Sequence, residues 1–133
     1  NALFEASWNE DTENLTDILS DLLFNTISYH DSAESFYHAF VVGLFANAGY
    51  IVESNYENGL GRSDLAIKDR KLRRAIIIEL KISKKKDDME NKCHEALQQI
   101  EEKKYATKIE QVGFKKVIRY GIAFYKKECL VMK

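Results

Sequence analysis

Proline is absent from this sequence, and only two residues are cysteine. Without proline a common breaker of regular structure is missing, so glycine and Asn or Asp must mark the turns. Cys93 and Cys129 have no metal-ligand spacing, and nothing else points to secretion, so a reduced, cytoplasmic protein is expected. Long hydrophobic runs are missing too. The most apolar segment, AFVVGLFANAGYIV, is too short and too interrupted to cross a membrane. The N-terminal NALFEASWNEDTEN is acidic where a signal peptide needs a basic region. Neither sign of charge dominates: 20 Lys and Arg meet 21 Asp and Glu, for a formal net charge of −1. That balance by itself marks neither a nucleic-acid binder nor a membrane-surface protein. There is no internal repeat and no low-complexity linker. The first residue is Asn rather than Met, as expected of a piece excised from a longer polypeptide or of a trimmed chain.

With those classes set aside, 133 residues of ordinary composition suffice for one domain with a single core. TENLTDILSDLLFNTI, residues 12–27, spaces Leu15, Ile18, Leu19, Leu22 and Leu23 as the stripe of an amphipathic helix. A second helix is expected from Asp31 to about Asn47, with Asp31 and Glu34 in a capping-box pattern and Gly49 as the stop. Its apolar residues cover more than one face, as in a helix largely buried in the domain. YIVESNY reads as a strand and ENGLG as a glycine-rich turn. DLAIKD and AIIIELKIS follow as strands around the basic turn DRKLRR. DDMENKCHEALQQIEEKKYA reads as one helix with the stripe Met89, Cys93, Ala96, Leu97 and Ile100. KVIRYGIAFYK is another strand and CLVMK a short edge strand. The order α-α-β-β-β-α-β-β implies an α/β or α+β architecture, a mixed sheet flanked by helices. The expected core spans residues 31–126, with 1–30 as an N-terminal helical extension added to it.

The stretch GRSDLAIKDRKLRRAIIIELKIS, residues 61–83, puts charges where none would be expected. Strands buried on both faces read as nearly continuous Val, Ile and Leu, yet Asp64, Glu79 and Lys81 interrupt this one. A symmetric hairpin register sets Lys68 opposite Ala75, Ile67 opposite Ile76 and Asp64 opposite Glu79, with Lys81 on the same face. The other face collects Leu65, Ile67, Ile76, Ile78, Leu80 and Ile82 for packing on helices. Two like charges directly opposite destabilise a sheet unless one is protonated or a cation lies between them. A hard divalent cation takes oxygen ligands from one or two carboxylates. Such an ion polarises phosphoryl oxygens and activates water. The alternative is an ion-pair cluster in which Lys81 neutralises Glu79.

Asp64, fourteen intervening residues and then Glu79-Leu80-Lys81 resemble the active-site signature of the PD-(D/E)xK nuclease superfamily. The element order from Asp31 to Lys126 resembles its restriction-endonuclease-like core. SFYHAFVVGLF, SNYENGLGRSDLAI, IIIELKIS and EALQQIEEKKY are similar to a nuclease-like domain commonly found C-terminal to an AAA-ATPase-like domain in bacterial proteins. The resemblance covers the chain from about Ser28 onward. It implies a metal-dependent nuclease acting on nucleic acid, DNA rather than RNA. By the same resemblance Asp64, Glu79 and the Leu80 carbonyl are ligands for Mg²⁺ or Mn²⁺, and Lys81 is the catalytic lysine. Glu34 matches an additional acidic residue of the first core helix, and Gln99 and Tyr105 match a Gln and Tyr of the later helix. Ser63 stands where the motif's name has Pro, a departure that leaves the ligands in place. The alternative is a catalytically silent nuclease-fold module that binds nucleic acid or a partner ATPase domain.

Other readings of these residues stay open. Glu34 also serves as the capping-box partner of Asp31, and Gln99 is otherwise an ordinary polar helix residue. Glu57 and Arg62 either shape the mouth of a site or pair with each other across the glycine turn. His30, His38 and His94 show no ligand spacing and read as packing or surface histidines. The basic runs KDRKLRR and KISKKK, with the Lys pairs near 103 and 115, are solvated faces or contacts to a phosphate backbone.

Overall fold

The computed structural model describes residues 1–26, 34–57 and 62–133. Its centre is the apolar run predicted to be a strand, Arg74–Ile82 (β3), buried on both faces from Ala75 to Leu80. Ile51–Glu57 (β1) and Arg62–Asp69 (β2) lie beside it as an antiparallel meander. On its other side runs Lys116–Tyr125 (β4), parallel to β3, followed by the antiparallel Glu128–Met132 (β5). The sheet order is β1-β2-β3-β4-β5. A parallel neighbour requires a crossover, and two helices supply it: Met89–Lys103 (α4) and Tyr105–Gln111 (α5). The mixed sheet and its helices are the α+β architecture expected from the sequence.

Alternation along the strands divides the packing into two layers. Leu65, Ile67, Ile76, Ile78 and Leu80 face one side, together with Ile118, Ile122 and Phe124 of β4. Ala2–Trp8 (α1), Thr12–Thr26 (α2) and Glu34–Ala46 (α3) cover that side. Ala66, Ala75 and Ile77 face the other side and pack under Ile100, Ala106 and Ile109 of α4 and α5.

Two departures from the sequence expectation stand out. The acidic N-terminus forms a helix of its own, α1, and α1 and α2 share one cluster with α3. Leu15, Leu19 and Leu23 are fully buried there. Polar contacts fix the arrangement: Tyr120 donates its hydroxyl proton to the Ser7 carbonyl at 2.5 Å, and the Trp8 indole donates to Tyr50 Oη at 3.1 Å. The helix expected as one piece over 87–106 is also split. Lys104 adopts a left-handed conformation (φ 53°) and turns the chain from α4 into α5. The turn redirects Tyr105 towards Glu53 of β1 while α5 packs on the same sheet face as α4. Asp31 and the glycine-turn residues from Asn58 to Gly61 lie outside the described residues, as do the side chains of Glu34, Glu57 and Arg62.

Gly121 sets the height of α4 above the sheet. It pairs with Glu79 in the β3–β4 ladder, and a Cβ built on it would stand 2.5 Å from the Cys93 carbonyl oxygen. That neighbour is helix backbone and cannot rotate away. Gly121→Ala is therefore expected to push α4 outward and cost about 1–3 kcal/mol of stability. Urea denaturation checks this, and a midpoint equal to the parent's contradicts the close-approach role.

Candidate functional site

The β2–β3 ladder delivers the register expected from the hairpin: Asp64 pairs with Glu79, Ile67 with Ile76 and Lys68 with Ala75. The ladder ends at the Asp64–Glu79 pair, whereas β3 continues beside β4 as far as Ile82. Two carboxylates thus face one another where the strands part. Their repulsion is met from above. Lys103, in the last turn of α4, puts its Nζ 2.9 Å from Asp64 Oδ2 and 3.1 and 3.3 Å from Glu79 Oε1 and Oε2.

The Glu79 side chain is completely shielded from solvent, while Asp64 and Lys103 keep 20% and 25% of their exposure. Burial pushes Glu79 above the usual carboxylate range, although the charge and hydrogen bonds of Lys103 pull against it. Burial would lower Lys103, but the hydrogen bonds and charges of Asp64 and Glu79 outweigh it, so the ammonium holds its proton more firmly than usual. The charge of Asp64 reaches the buried His38 on α3 as well, where burial still prevails and holds that imidazole below its ordinary range.

A pocket of about 390 Å³ opens beside these groups, with Ile77 and Ile100 among its apolar lining. Glu53 of β1 and Tyr105 and Lys108 of α5 form its wall. Tyr105 Oη donates to Glu53 Oε2 at 3.1 Å, and Lys68 Nζ donates to Glu53 Oε1 at 2.9 Å. Burial and the Glu53 charge push the Tyr105 hydroxyl up to about 12.

The remaining site candidates are more dispersed. Lys81 lies half-buried on β3, and its charge lowers Glu79, but it contacts neither carboxylate and is not part of the pocket lining. The Leu80 side chain sinks into the opposite core, and its backbone lies one residue beyond the last β2–β3 pair. Glu34 opens α3. Gln99 is half-buried on α4 beside Glu95 and Glu102, with its Oε1 enclosed and unpartnered among the described residues.

The donor set fits a hard divalent cation. Two carboxylates and a strand carbonyl are oxygen ligands of the kind Mg²⁺ and Mn²⁺ prefer. The carboxylate pair already accepts a cation in the form of the Lys103 ammonium. Among the described residues no group of three His, Cys, Asp or Glu side chains is placed to hold a metal. Asp64 and Glu79 are the carboxylates that the β2–β3 register brings together.

Sequence reasoning missed Lys103. Its signal was present, because Met89, Cys93, Ala96 and Ile100 are buried at spacings of three or four and Lys103 extends the same stripe. The basic runs also separate in space. The 70–73 turn lies at the far end of the hairpin, about 17 Å from Asp64 at roughly 3.4 Å per residue. Two of that run's arginines are engaged locally: Arg74 pairs with Asp69 at 2.8 Å, and Arg73 donates to the Gly113 carbonyl at 3.1 Å. Lys84 and Lys85 instead follow Lys81 past the end of β3 and are exposed.

A sequence model described as the PD-(D/E)XK nuclease superfamily matches residues 32–133. Among curated proteins and among solved structures, no match was found. No helix among the described residues is long and apolar enough to cross a membrane.

The pocket wall carries a pH-dependent part of stability. The Lys68 hydrogen bond leads in holding Glu53 below its usual value of 4.5. The unfolded chain therefore takes up this proton first as the pH falls, and the stabilisation present above about pH 4.5 is lost in acid. Thermal melts of the parent and Glu53→Gln should differ at pH 7 and converge near about pH 3. A difference that grows in acid contradicts the assignment.

Proposed function

The chain belongs to the PD-(D/E)XK nuclease superfamily, and from that premise we propose that it is a metal-dependent nuclease hydrolysing phosphodiester bonds of nucleic acid, DNA rather than RNA. The observation that carries this reading is the direct opposition of Asp64 and Glu79 at the end of the β2–β3 ladder. Buried like charges at a strand end are costly, and a binding site for a cation is the function that justifies them. Asp64, Glu79 and the Leu80 carbonyl would hold Mg²⁺ or Mn²⁺, which supplies Lewis-acid polarisation of the phosphodiester when bound.

The chain's own residues supply the rest. Lys81, on the carboxylate face of β3, offers an ammonium that stabilises charge on the phosphate or assists proton transfer. Glu79 is held rigidly, since it is shielded on all sides and anchored between β2 and β4. Exposed Lys84 and Lys85, at the same end of β3, are available to phosphates of the backbone. Lys108 brings a further positive charge to the pocket wall. The enclosed Gln99 Oε1 has no partner among the described residues, and Glu34 at the head of α3 remains a candidate for the additional acidic role.

One observation favours a second reading. Lys103 already satisfies both carboxylates, as in a module that binds nucleic acid or an AAA-ATPase-like domain and cleaves nothing. The two readings part in a cleavage assay. With Mg²⁺ or Mn²⁺ the parent should cut labelled DNA, a chelator should stop it, and Asp64→Asn should be inactive. Lys81→Ala should lose about 10²–10⁴-fold in rate with its melting temperature unchanged, as for a positioned acid–base group. A parent that cuts neither DNA nor RNA with any divalent metal favours the silent module.

Binding should respond to salt in the same preparation. Lys and Arg contacts to phosphates release counterions, so affinity for DNA should fall steeply between low and physiological salt and vary little with sequence. Affinity indifferent to salt points to a protein partner instead.

A further inference from the structure

The three oxygens that Lys103 bridges are those a divalent ion would need. We propose that Lys103 is a resident counter-ion of the Asp64–Glu79 pair, and that loading of the site is an exchange in which the incoming cation displaces the Lys103 ammonium. The inference rests on the metal-binding reading of this site and adds the residue that governs its occupancy.

Competition follows from geometry. Lys103 Nζ reaches both carboxylates at hydrogen-bond distance, and contacts both Oε1 and Oε2 of Glu79. A divalent ion coordinated by the same oxygens, at about 2.0–2.1 Å for Mg²⁺, leaves no room for an ammonium between them. Two positive centres at such separation also repel strongly in a partly buried site.

Displacement requires only the side chain to move. Gly121 lets the α4 backbone lie close to the sheet, its missing Cβ leaving room for the Cys93 carbonyl. The lysine itself is one-quarter exposed and borders the open pocket. A long, flexible side chain in that position can swing into the pocket while the helix stays in place. The freed ammonium then remains on a wall that already carries Lys108, where a phosphodiester would meet it.

The same ammonium bears on the stability of the metal-free chain. Glu79 is wholly buried beside Asp64, and without a compensating cation the pair would be under repulsion. Lys103 provides that cation, so stability does not require metal while metal binding is weakened by competition. Removing the ammonium should reverse both properties. The metal-free protein becomes less stable, and the metal binds more tightly.

The test compares the full chain with Lys103→Met and Lys103→Arg, using Mn²⁺ titration by calorimetry and thermal melts with chelator or Mn²⁺. Lys103→Met should bind Mn²⁺ about tenfold more tightly or better, as expected from removing a competing unit charge. It should melt lower in chelator and recover with Mn²⁺, while Lys103→Arg stays near the parent. Should Lys103→Met fail to fold, the parent still answers through lysine acetylation read by mass spectrometry. Reactivity of Lys103 should rise several-fold when Mg²⁺ is added, with Lys71 on the remote turn unchanged. Equal or weaker Mn²⁺ affinity in Lys103→Met, or Lys103 reactivity indifferent to Mg²⁺ that binds, overturns the exchange alone. If neither the parent nor Lys103→Met binds Mn²⁺, the metal reading falls and the exchange falls with it.

Discussion

Asp64 and Glu79 are set opposite one another by an antiparallel register, and the structure is organised around that unfavourable contact. Like charges across a strand pair repel, and burial of Glu79 worsens the repulsion by removing solvent. An ammonium from α4 offsets it. Removing Lys103 leaves two facing carboxylates uncompensated, whereas removing either carboxylate leaves the other in a matched pair with the ammonium. The three charges are therefore coupled through the shared ammonium, and none can be understood singly.

The remaining architecture fixes that set in place. Burial on both faces of β3 locks its register against β2 and β4, since a one-residue slip would turn Glu79 into the aliphatic layer. Gly121, beside Glu79, lets α4 lie low enough for Lys103 to reach down. The left-handed turn at Lys104 then ends α4 directly after Lys103 and swings Tyr105 towards Glu53. On the opposite face, α1, α2 and α3 bury the aliphatic side of the same strands and keep the sheet from shifting. A helical layer on each face leaves the end of the β2–β3 ladder as the place where a polar pocket opens.

Much of this was legible in the sequence because it depends on local periodicity. Alternation in DLAIKD and AIIIELKIS gave the hairpin, its register and the division into an aliphatic and a charged face, and the pairing of Asp64 with Glu79 followed. The mixed sheet came from element order. What escaped depends on tertiary contacts. The α1 helix is only seven residues, too short for its stripe to be recognised, and it is held by Tyr120 and Tyr50 rather than by its own periodicity. The break at Lys104 has no Gly or Pro to announce it, because a lysine takes the left-handed position. Lys103 escaped because the Lys pair near 103 reads as a solvated face or a phosphate contact, and its proximity to the carboxylates depends on how closely α4 packs on the sheet.

The chain belongs to a nuclease superfamily, and one place in the fold holds a facing carboxylate pair bridged by an ammonium. The central claim is that this place takes a divalent ion. Diffraction from crystals soaked in Mn²⁺, recorded at a wavelength where manganese scatters anomalously, tests it most directly. The expected map has a strong anomalous peak between Asp64 and Glu79, with the Lys103 side chain turned away from both. Peaks confined to surface carboxylates, with Lys103 still bridging the pair, would contradict it.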